Sequence, residues 1–258
     1  ATLTVPVTLP AAQNGTEGIG AVAVGQLGVN SWMLGHGGTQ TLYPKAFLWG
    51  VGPGGDARWT WSATDASTES TGYSAITTAS GEGVFTTFFD GALRVARVAG
   101  DGKESWRTGS SELMSLPSAG DAHLLELGDG SVWIASGAIA GGKRTQDLLV
   151  ARVTATGSVA FAKLPKTSGG VAISGVAALS GAGQSAPVLA AGDTLDGTVT
   201  KRWLGGFDKQ GALLWESKIG LKAGEFGGFS GLAARGGDAV WAVAGKSENK
   251  VGQLVAYQ

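Results

Sequence analysis

Apolar and polar residues alternate with a period of two in many short runs of this chain, and glycine-rich turns separate the runs. Residues 2–9 alternate strictly between Thr or Pro and Leu or Val. A period of two places alternate side chains on one face of a β-strand, whereas an amphipathic helix needs a period near ~3.6. Because no segment has a convincing helical period, the pattern predicts an all-β chain.

The strands recur in a repeat of about four strands. Five segments begin with a short strand of small residues and continue with a stiffer apolar strand. Four of them then show a hairpin in which a glycine precedes an aromatic residue by four positions: Gly55 and Trp59, Gly102 and Trp106, Gly157 and Phe161, and Gly211 and Trp215. These aromatics lie 47, 55 and 54 residues apart. Four strands in roughly 40–50 residues are typical of β-propeller blades.

The repeat predicts one domain over residues 1–258, a five-bladed β-propeller of four-stranded antiparallel blades. The fifth repeat lacks a fourth strand, and the spare strand at residues 1–10 restores it. Pairing these two segments closes the ring and removes the exposed edge of an open sheet. The predicted blades are residues 18–62, 72–107, 120–164, 173–218, and 229–258 together with 1–10.

The amino-acid composition limits which binding partners and which cellular location are expected. Nineteen basic and 20 acidic residues give a net charge of −1 without a basic run, so nucleic acid is not an expected partner. No apolar stretch approaches the ~18 residues of a membrane span. The chain has no cysteine and begins at Ala1, which fits a protein trimmed of a signal peptide and predicts a secreted, periplasmic or cell-surface location. The same start also fits a truncated chain.

Two hairpins, at residues 147–163 and 202–218, resemble the repeats of bacterial secreted β-propeller proteins of the quinoprotein-like group. Blades of that group carry a strand, a D-x-x-G-type turn and a strand that ends in tryptophan. The resemblance implies a blade architecture rather than an activity. Because the cofactor ligands of quinoprotein dehydrogenases have no counterpart here, no cofactor is predicted. By blade count the chain is also similar to five-bladed lectins that bind amino sugars and to five-bladed glycosidases that act on arabinans and fructans.

Neither metal binding nor catalysis has a clear signature. The chain has two histidines, His36 and His123, without carboxylates at ligand spacing, so no metal site is predicted. A glycosidase needs two carboxylates about 5–10 Å apart. Glu126 is the only carboxylate well inside a predicted innermost strand, and no catalytic residue is therefore assigned.

The nine tryptophans are predicted to be mainly structural. Six occupy equivalent strand positions, where large aromatics fill the space between neighbouring sheets. They are Trp32, Trp133 and Trp241 in second strands, and Trp59, Trp106 and Trp215 in fourth strands. The other three, Trp49, Trp61 and Trp203, fall outside that register and are open to being exposed.

A ligand site is predicted on the face formed by the loops between blades and between second and third strands. These loops look long and uneven, at residues 35–43, 62–72, 107–120, 137–146, 192–201 and 216–228. Loops on a rigid scaffold commonly carry function. The ligand-binding candidates on this face are His36, Tyr43, Tyr73, Arg144, Asp193, Arg202 and Phe226, and its acidic residues include Asp65, Glu69 and Glu225. Counted from the second-strand aromatic, His36 takes the position that Gly137, Gly192 and Gly245 take in other repeats.

The function predicted from these observations is a non-enzymatic, exported binding or scaffold propeller. Its uneven loop face would contact one protein or glycan partner, because five equal sugar sites would need five similar loops. A carbohydrate-binding, lectin-like propeller is the first alternative. A five-bladed glycoside hydrolase is the second, and it requires a carboxylate pair at the mouth of the central channel.

Overall fold

A computed structural model gives the fold of the chain. It describes residues 18–24, 31–37, 45–51, 57–62, 69–89, 92–108, 113, 119–140, 143–179, 187–196, 198–223, 225–234, 240–248 and 251–257. The chain divides into two compact units, which are described separately below. The first comprises Ala1–Leu116, Gly128–Val132 and Val153–Val159, and the second comprises Pro117–Leu127, Trp133–Arg152 and Ala160–Gln258.

Eight strands of the first unit form two antiparallel groups of four. The first group is β1 (Gly18–Val24), β2 (Ser31–Gly37), β3 (Lys45–Val51) and β4 (Ala57–Ser62). The second group is β5 (Glu69–Thr77), β6 (Gly83–Phe89), β7 (Ala92–Val98) and β8 (Glu104–Arg107). Within each group, strands that are consecutive in sequence pair with each other. One pair, Lys45 with Ser70, links the groups into an eight-stranded sheet.

The remaining strands form three sheets, again with sequence neighbours paired. The first contains β9 (Ala119–Glu126), β10 (Val132–Ala140), β11 (Lys143–Val153) and β12 (Val159–Lys163). The second contains β13 (Val171–Ala178), β14 (Val188–Asp196), β15 (Val199–Phe207) and β16 (Leu213–Ile219). The third contains β17 (Glu225–Ala234), β18 (Val240–Glu248) and β19 (Val251–Tyr257). The prediction of an all-β chain with four-stranded antiparallel sheets is confirmed, whereas residues 1–10, the predicted closing strand, lie outside the described residues.

Each sheet has two distinguishable ends because its strands run antiparallel. We call the end with the turns between first and second and between third and fourth strands the turn end. The opposite end, with the hairpin between second and third strands, is the hairpin end. The hairpins are shorter than predicted, because β10 extends to Ala140 and β14 to Asp196. The predicted long loops at residues 137–146 and 192–201 are therefore wrong, and most of their residues belong to strands.

Aromatic residues dominate the core of the second unit. Trp133 and Trp203 are fully buried, and both pack with Phe207. The core prediction for Trp133 is thus confirmed. The expectation that Trp49, Trp61 and Trp203 could be exposed is wrong, since they are 2%, 8% and 0% exposed.

At the turn ends, an aromatic side chain from one sheet covers a glycine turn of the next. The Trp59 indole donates a hydrogen bond to the carbonyl of Gly100 (2.9 Å), and a Cβ at Gly102 would lie 2.7 Å from its ring. Trp106 repeats this contact with Ala155 (2.9 Å) and Gly157, where a Cβ would lie 2.8 Å from the ring. Glycine is favoured at both positions for two reasons. Their φ angles are positive (88° and 90°), and a side chain would collide with the indole.

The fourth-strand aromatic of the next sheet, Phe161, contacts Gly211 in the same manner. Trp215 on β16 departs from the series: its indole lies over Gly206 of its own sheet, as that of Trp59 lies over Gly50, but it is 40% exposed. The prediction that Trp215 lies in the core is therefore wrong. In the described residues, no helix is long and apolar enough to cross a membrane.

Candidate functional site

A β-bulge near the hairpin end fixes the register of the inner strands in three sheets. Directly before the bulge, Gly35 opposes Ile19, Gly192 opposes Ile173, and Gly245 opposes Phe226. The equivalent of Gly192 and Gly245 is thus Gly35 and not His36. The position inferred for His36 is wrong by one residue, because Trp32 stands three residues before Gly35 whereas Trp241 stands four before Gly245.

The next residue toward the hairpin end forms a row across each of these sheets, which we call the polar rung. The rung consists of Gly18, His36 and Ala46 in the first sheet, of Ala172, Asp193 and Arg202 in the β13–β16 sheet, and of Glu225, Lys246 and Gln253 in the last. Charged residues occupy it in the last two sheets. Side chains in one cross-strand row project to the same face, so Asp193 and Arg202 lie side by side in the β13–β16 sheet.

A buried ion pair joins the rungs of two sheets in the second unit. The Arg202 Nη1 donates to Oε2 of Glu225 at 2.7 Å, with side-chain exposures of 0% and 8%. The guanidinium carbon lies 5.8 Å from the ring centroid of the buried Phe229. This position combines a charge-assisted hydrogen bond with a cation–π contact in a region shielded from water.

The backbone around Glu225 reinforces the pair. Oε2 of Glu225 also accepts the backbone N–H of Lys222 (3.0 Å), and the N–H of Glu225 donates to the carbonyl of Lys222 (3.0 Å). Nearby, a Cβ at Gly228 would lie only 2.3 Å from the Cβ of Asp193. The absence of a side chain at Gly228 therefore lets β17 approach the Asp193 end of the rung closely.

A second carboxylate, Glu216 on β16, anchors the segment that leads into β13. Its Oε2 accepts the Trp203 indole N–H (2.7 Å), and its Oε1 accepts the backbone N–H of Ser168 (2.9 Å). Lys218 donates to the carbonyl of Ser168 (3.2 Å). Partial burial alone would raise the pKa of Glu216, but the hydrogen bonds from Ser168 and Trp203 and the charge of Lys218 lower it below its ordinary value.

The β14–β15 hairpin rises from this anchored base and carries exposed apolar side chains. The buried Thr194 donates from Oγ1 to the carbonyl of Gly170 (3.2 Å), which ties the hairpin to the segment before β13. Beyond it, Leu195 and Val199 are 46% and 58% exposed. Leu195 opposes Thr200 and Val199 opposes Asp196, so the hairpin presents one exposed apolar side chain on each of its two faces, on a base held by hydrogen bonds and an ion pair.

The structure places the predicted site residues unevenly. Asp193 and Arg202 lie directly opposite each other in the β14–β15 register, and both belong to strands rather than to a loop. His36 lies on β2, Tyr73 on β5, Arg144 on β11 and Phe226 on β17, and only their backbone is described. Tyr43 lies outside the described residues.

Sequence reasoning missed the roles of Glu216 and Trp203. Both project from β15 and β16 toward one face, since Trp203 opposes Lys218 and Gly205 opposes Glu216. A strand prediction from the sequence places residues 214, 216 and 218 on one face and residues 215, 217 and 219 on the other. It does not show which neighbouring segment each face contacts. Among the described residues, no group of three His, Asp or Glu side chains could hold a metal ion.

Comparison with known proteins shows likeness in fold alone. No protein-family model matches the chain, and no curated protein matches it in sequence. A chain of the Drosophila plexin A–semaphorin 1b complex matches with a TM-score of 0.50 and 13% identity, over 95% of this chain and 55% of that one. The chain therefore spans about half of that neighbour's length.

Two further neighbours have TM-scores below 0.50. The β-propeller domain of the Trilobed protease from Pyrococcus furiosus gives 0.49 with 7% identity, over 96% of this chain and 69% of that one. A glycoside hydrolase family 43 arabinoxylan arabinofuranohydrolase from Bacillus subtilis gives 0.46 with 12% identity, over 88% and 58%. The structural neighbours are thus β-propeller proteins with different activities.

Proposed function

We propose that this chain is a non-enzymatic, exported β-propeller that binds a macromolecular partner, or acts as a scaffold, through the hairpin end of the β13–β16 sheet. The proposal includes five blades and a ring closed by residues 1–10 beside β19. One observation carries the binding role: Leu195 and Val199 are exposed on a hairpin whose base is fixed by Thr194 and the Arg202–Glu225 pair. Exposed apolar side chains on a rigid support are typical of protein-contact surfaces, because little ordering entropy is lost on binding.

The carboxylates around this surface serve structure rather than acid–base chemistry. A glycosidase general acid needs a raised pKa, so that it is protonated near neutral pH. The pKa of Glu216 is lowered, and two hydrogen-bond donors hold its oxygens. Glu225 is likewise held by Arg202 and by the Lys222 backbone. These arrangements favour a binding protein over a hydrolase.

Export is proposed from the composition. A chain of 258 residues without cysteine suits an oxidising compartment, in which free thiols react. The plexin A structure is a complex of two proteins, and it illustrates that a similar fold can present a protein-binding surface. The partner proposed here is a protein, because the exposed side chains of the β14–β15 hairpin are apolar.

Site-specific photo-crosslinking tests the proposed surface. A photoreactive phenylalanine analogue is placed at Val199, and in a matched control at Ala160, an exposed residue of the outer strand β12. In the native extracellular fraction, we expect a discrete adduct from position 199 that is absent from position 160. Because Leu195 lies on the opposite face of the hairpin from Val199, a partner that encloses the tip contacts both, and the adduct should disappear when Leu195→Asp is added. The unfolding midpoint should stay within about 2 °C, because a surface substitution changes stability little.

Equal labelling from both positions, or an adduct that survives Leu195→Asp, would contradict a specific surface on this hairpin. Hydrolysis of a glycoside panel that is lost in Glu216→Gln would contradict the non-enzymatic assignment. The two outcomes are separate, since one concerns binding and the other concerns catalysis.

A carbohydrate-binding propeller is the second candidate, and the exposed indole of Trp215 favours it. The 40% exposed ring offers a flat apolar face that could stack against a sugar. Binding on a glycan array that is lost in Trp215→Ala, with the hairpin residue Val199→Ala as the control, would support this candidate. Silence on the array would remove it.

A further inference from the structure

The outer strand β16 has the features of an unpaired edge that accepts another strand. In the described residues it is the last strand of its sheet and pairs only with β15. An edge strand presents backbone N–H and C=O groups to any extended chain that approaches. Proteins that remain monomeric usually keep such edges short or charged.

Strand β16 is longer and more apolar at its surface than the other outer strands. It has seven residues, whereas β4, β8 and β12 have six, four and five. It also carries three of the five large apolar side chains that are exposed in the described residues, Leu214, Trp215 and Ile219. Edge protection is therefore weakest on this strand.

We propose that two copies of this chain associate by antiparallel pairing of β16 with itself, centred on Ser217. In that register Ser217 opposes Ser217 of the partner subunit. Glu216 then opposes Lys218 of the partner subunit, and Trp215 opposes Ile219 of the partner subunit; two-fold symmetry forms each contact twice. An isologous interface of this kind requires a self-complementary strand, and this order of residues provides one.

Both faces of the paired strands are matched. Trp215, Ser217 and Ile219 share one face of β16, since they oppose Gly206, Leu204 and Arg202 in the β15 register. Glu216 and Lys218 lie on the other face. The apolar pair would bury an indole that is 40% exposed and an isoleucine that is 38% exposed. The charged pair would place opposite charges directly across the new ladder, which favours it.

This complementarity selects a second copy over other occupants of the edge. A one-residue shift of register places Glu216 opposite Ser217 and Trp215 opposite Lys218. Both the apolar pair and the charged pair are then lost. The chain's own residues 1–10 are proposed to pair beside β19, which is a different edge. The inference does not depend on the proposed partner of the β14–β15 hairpin.

Charge substitutions at the two-fold position test the pairing directly. Ser217 is exposed, and its like-charged variants would face themselves across the interface. We expect Ser217→Lys and Ser217→Glu each to weaken dimerisation at least about fivefold in sedimentation velocity. A one-to-one mixture of the two should restore a dimer, because opposite charges then meet. Ala160→Lys on β12 is the matched control and should leave dimerisation unchanged.

Cysteine cross-linking gives a second readout that does not depend on affinity. The chain has no cysteine, so Ser217→Cys introduces the only thiol. Opposed residues in antiparallel strands have Cα atoms about 4.5–5.5 Å apart, within the range that a disulfide spans. We expect a covalent dimer on mild oxidation of Ser217→Cys, and little from Ala160→Cys.

A wild-type chain that sediments as a monomer at 100 µM, together with equal cross-linking of both cysteine variants, would overturn the proposal. A dimer that both Ser217 variants leave intact would overturn it as well, because the copies would then meet on another surface.

Discussion

The turn ends and the hairpin ends of the sheets are built on opposite principles. At the turn ends, Trp59, Trp106 and Phe161 repeat one contact with the glycine turn of the following sheet. At the hairpin ends, the polar rung has the same backbone register in three sheets but different side chains in each. The contact at the turn ends needs only a glycine and an aromatic ring, so it can be repeated. A buried charge at the hairpin ends needs a particular partner of opposite charge.

Two of the arginine–glutamate pairs, one at each kind of end, show the same difference in energetic terms. At the turn end, Arg97 pairs with Glu82 at 2.6 Å, with side-chain exposures of 8% and 26%. It also donates to the carbonyl of Gly130 (3.2 Å) and to Ser80 (3.0 Å). Arg202 and Glu225 are buried more deeply, at 0% and 8%. Removal of the glutamate therefore disturbs a more deeply buried charge at the hairpin end than at the turn end.

The largest expected effect is the difference in unfolding free energy between the two pairs when each glutamate is neutralised. Glu225→Gln should lower the free energy of unfolding by about 3–5 kcal/mol, because it removes the carboxylate that accepts a 2.7 Å hydrogen bond from the fully buried Arg202. Glu82→Gln should cost about 1–2 kcal/mol, since Arg97 keeps its bonds to Gly130 and Ser80. Urea denaturation of both variants measures the difference. Equal losses would show that the greater burial of Arg202 has no energetic consequence.

A glycine comparison tests the shape-based contact at the turn end. Gly157 and Gly81 both have positive φ, 90° and 82°, but only Gly157 has an indole against it. Gly157→Ala should destabilise the chain by about 2–3 kcal/mol, from backbone strain plus the collision with Trp106. Gly81→Ala should cost only about 1 kcal/mol, from strain alone. Thermal unfolding gives both values, and identical midpoints would mean that the ring moves aside freely.

The pH dependence of stability probes the anchoring carboxylate Glu216. Its pKa in the folded chain is below the ordinary value of 4.5, so it stabilises the fold above that value and loses this contribution as the pH falls through the folded pKa. Glu216→Gln should lower stability by about 1 kcal/mol at pH 7 and by less and less below pH 4.5. Chemical denaturation between pH 3 and pH 7 follows this change. A difference that stays constant with pH would contradict an ionised anchor.

The smallest expected effect compares a covered indole with an exposed one. Trp59→Phe keeps the ring but removes the hydrogen bond to Gly100, so it should cost about 0.5–1 kcal/mol. Trp215→Phe removes no hydrogen bond of this kind and should change stability by less than about 0.5 kcal/mol. The unfolding midpoints of the two variants, measured at a concentration at which the chain is monomeric, decide the point. A larger loss from Trp215→Phe would reverse the proposed contrast.

Local patterns predicted the turn ends well. The glycine four residues before each aromatic correctly marked turns at Gly102, Gly157 and Gly211, and all three have positive φ. This succeeds because turn chemistry is decided by a few adjacent residues. The partner of each aromatic was not predictable in the same way, since it belongs to the next repeat.

The hairpin ends were harder to predict for two physical reasons. Trp32 stands three residues before the glycine that opposes the bulge whereas Trp241 stands four, which no local pattern reveals, and the position assigned to His36 was wrong for that reason. Polar residues such as Thr194 and Arg202 resemble loop residues in sequence, yet they are buried in strands because partners elsewhere in the chain satisfy them. Burial of a charge depends on a distant partner, which a local pattern does not contain.

The indole contacts of Trp59 and Trp106 also bear on the order in which the chain folds. Their hydrogen bonds join residues 41 and 49 positions apart, which is about one repeat. A sheet that has formed thus offers a ready surface to the sheet that follows it in sequence, and neither of these two contacts has to wait for the chain ends to meet. Stability of this kind is passed between nearest neighbours, so folding can start in one repeat and propagate along the chain.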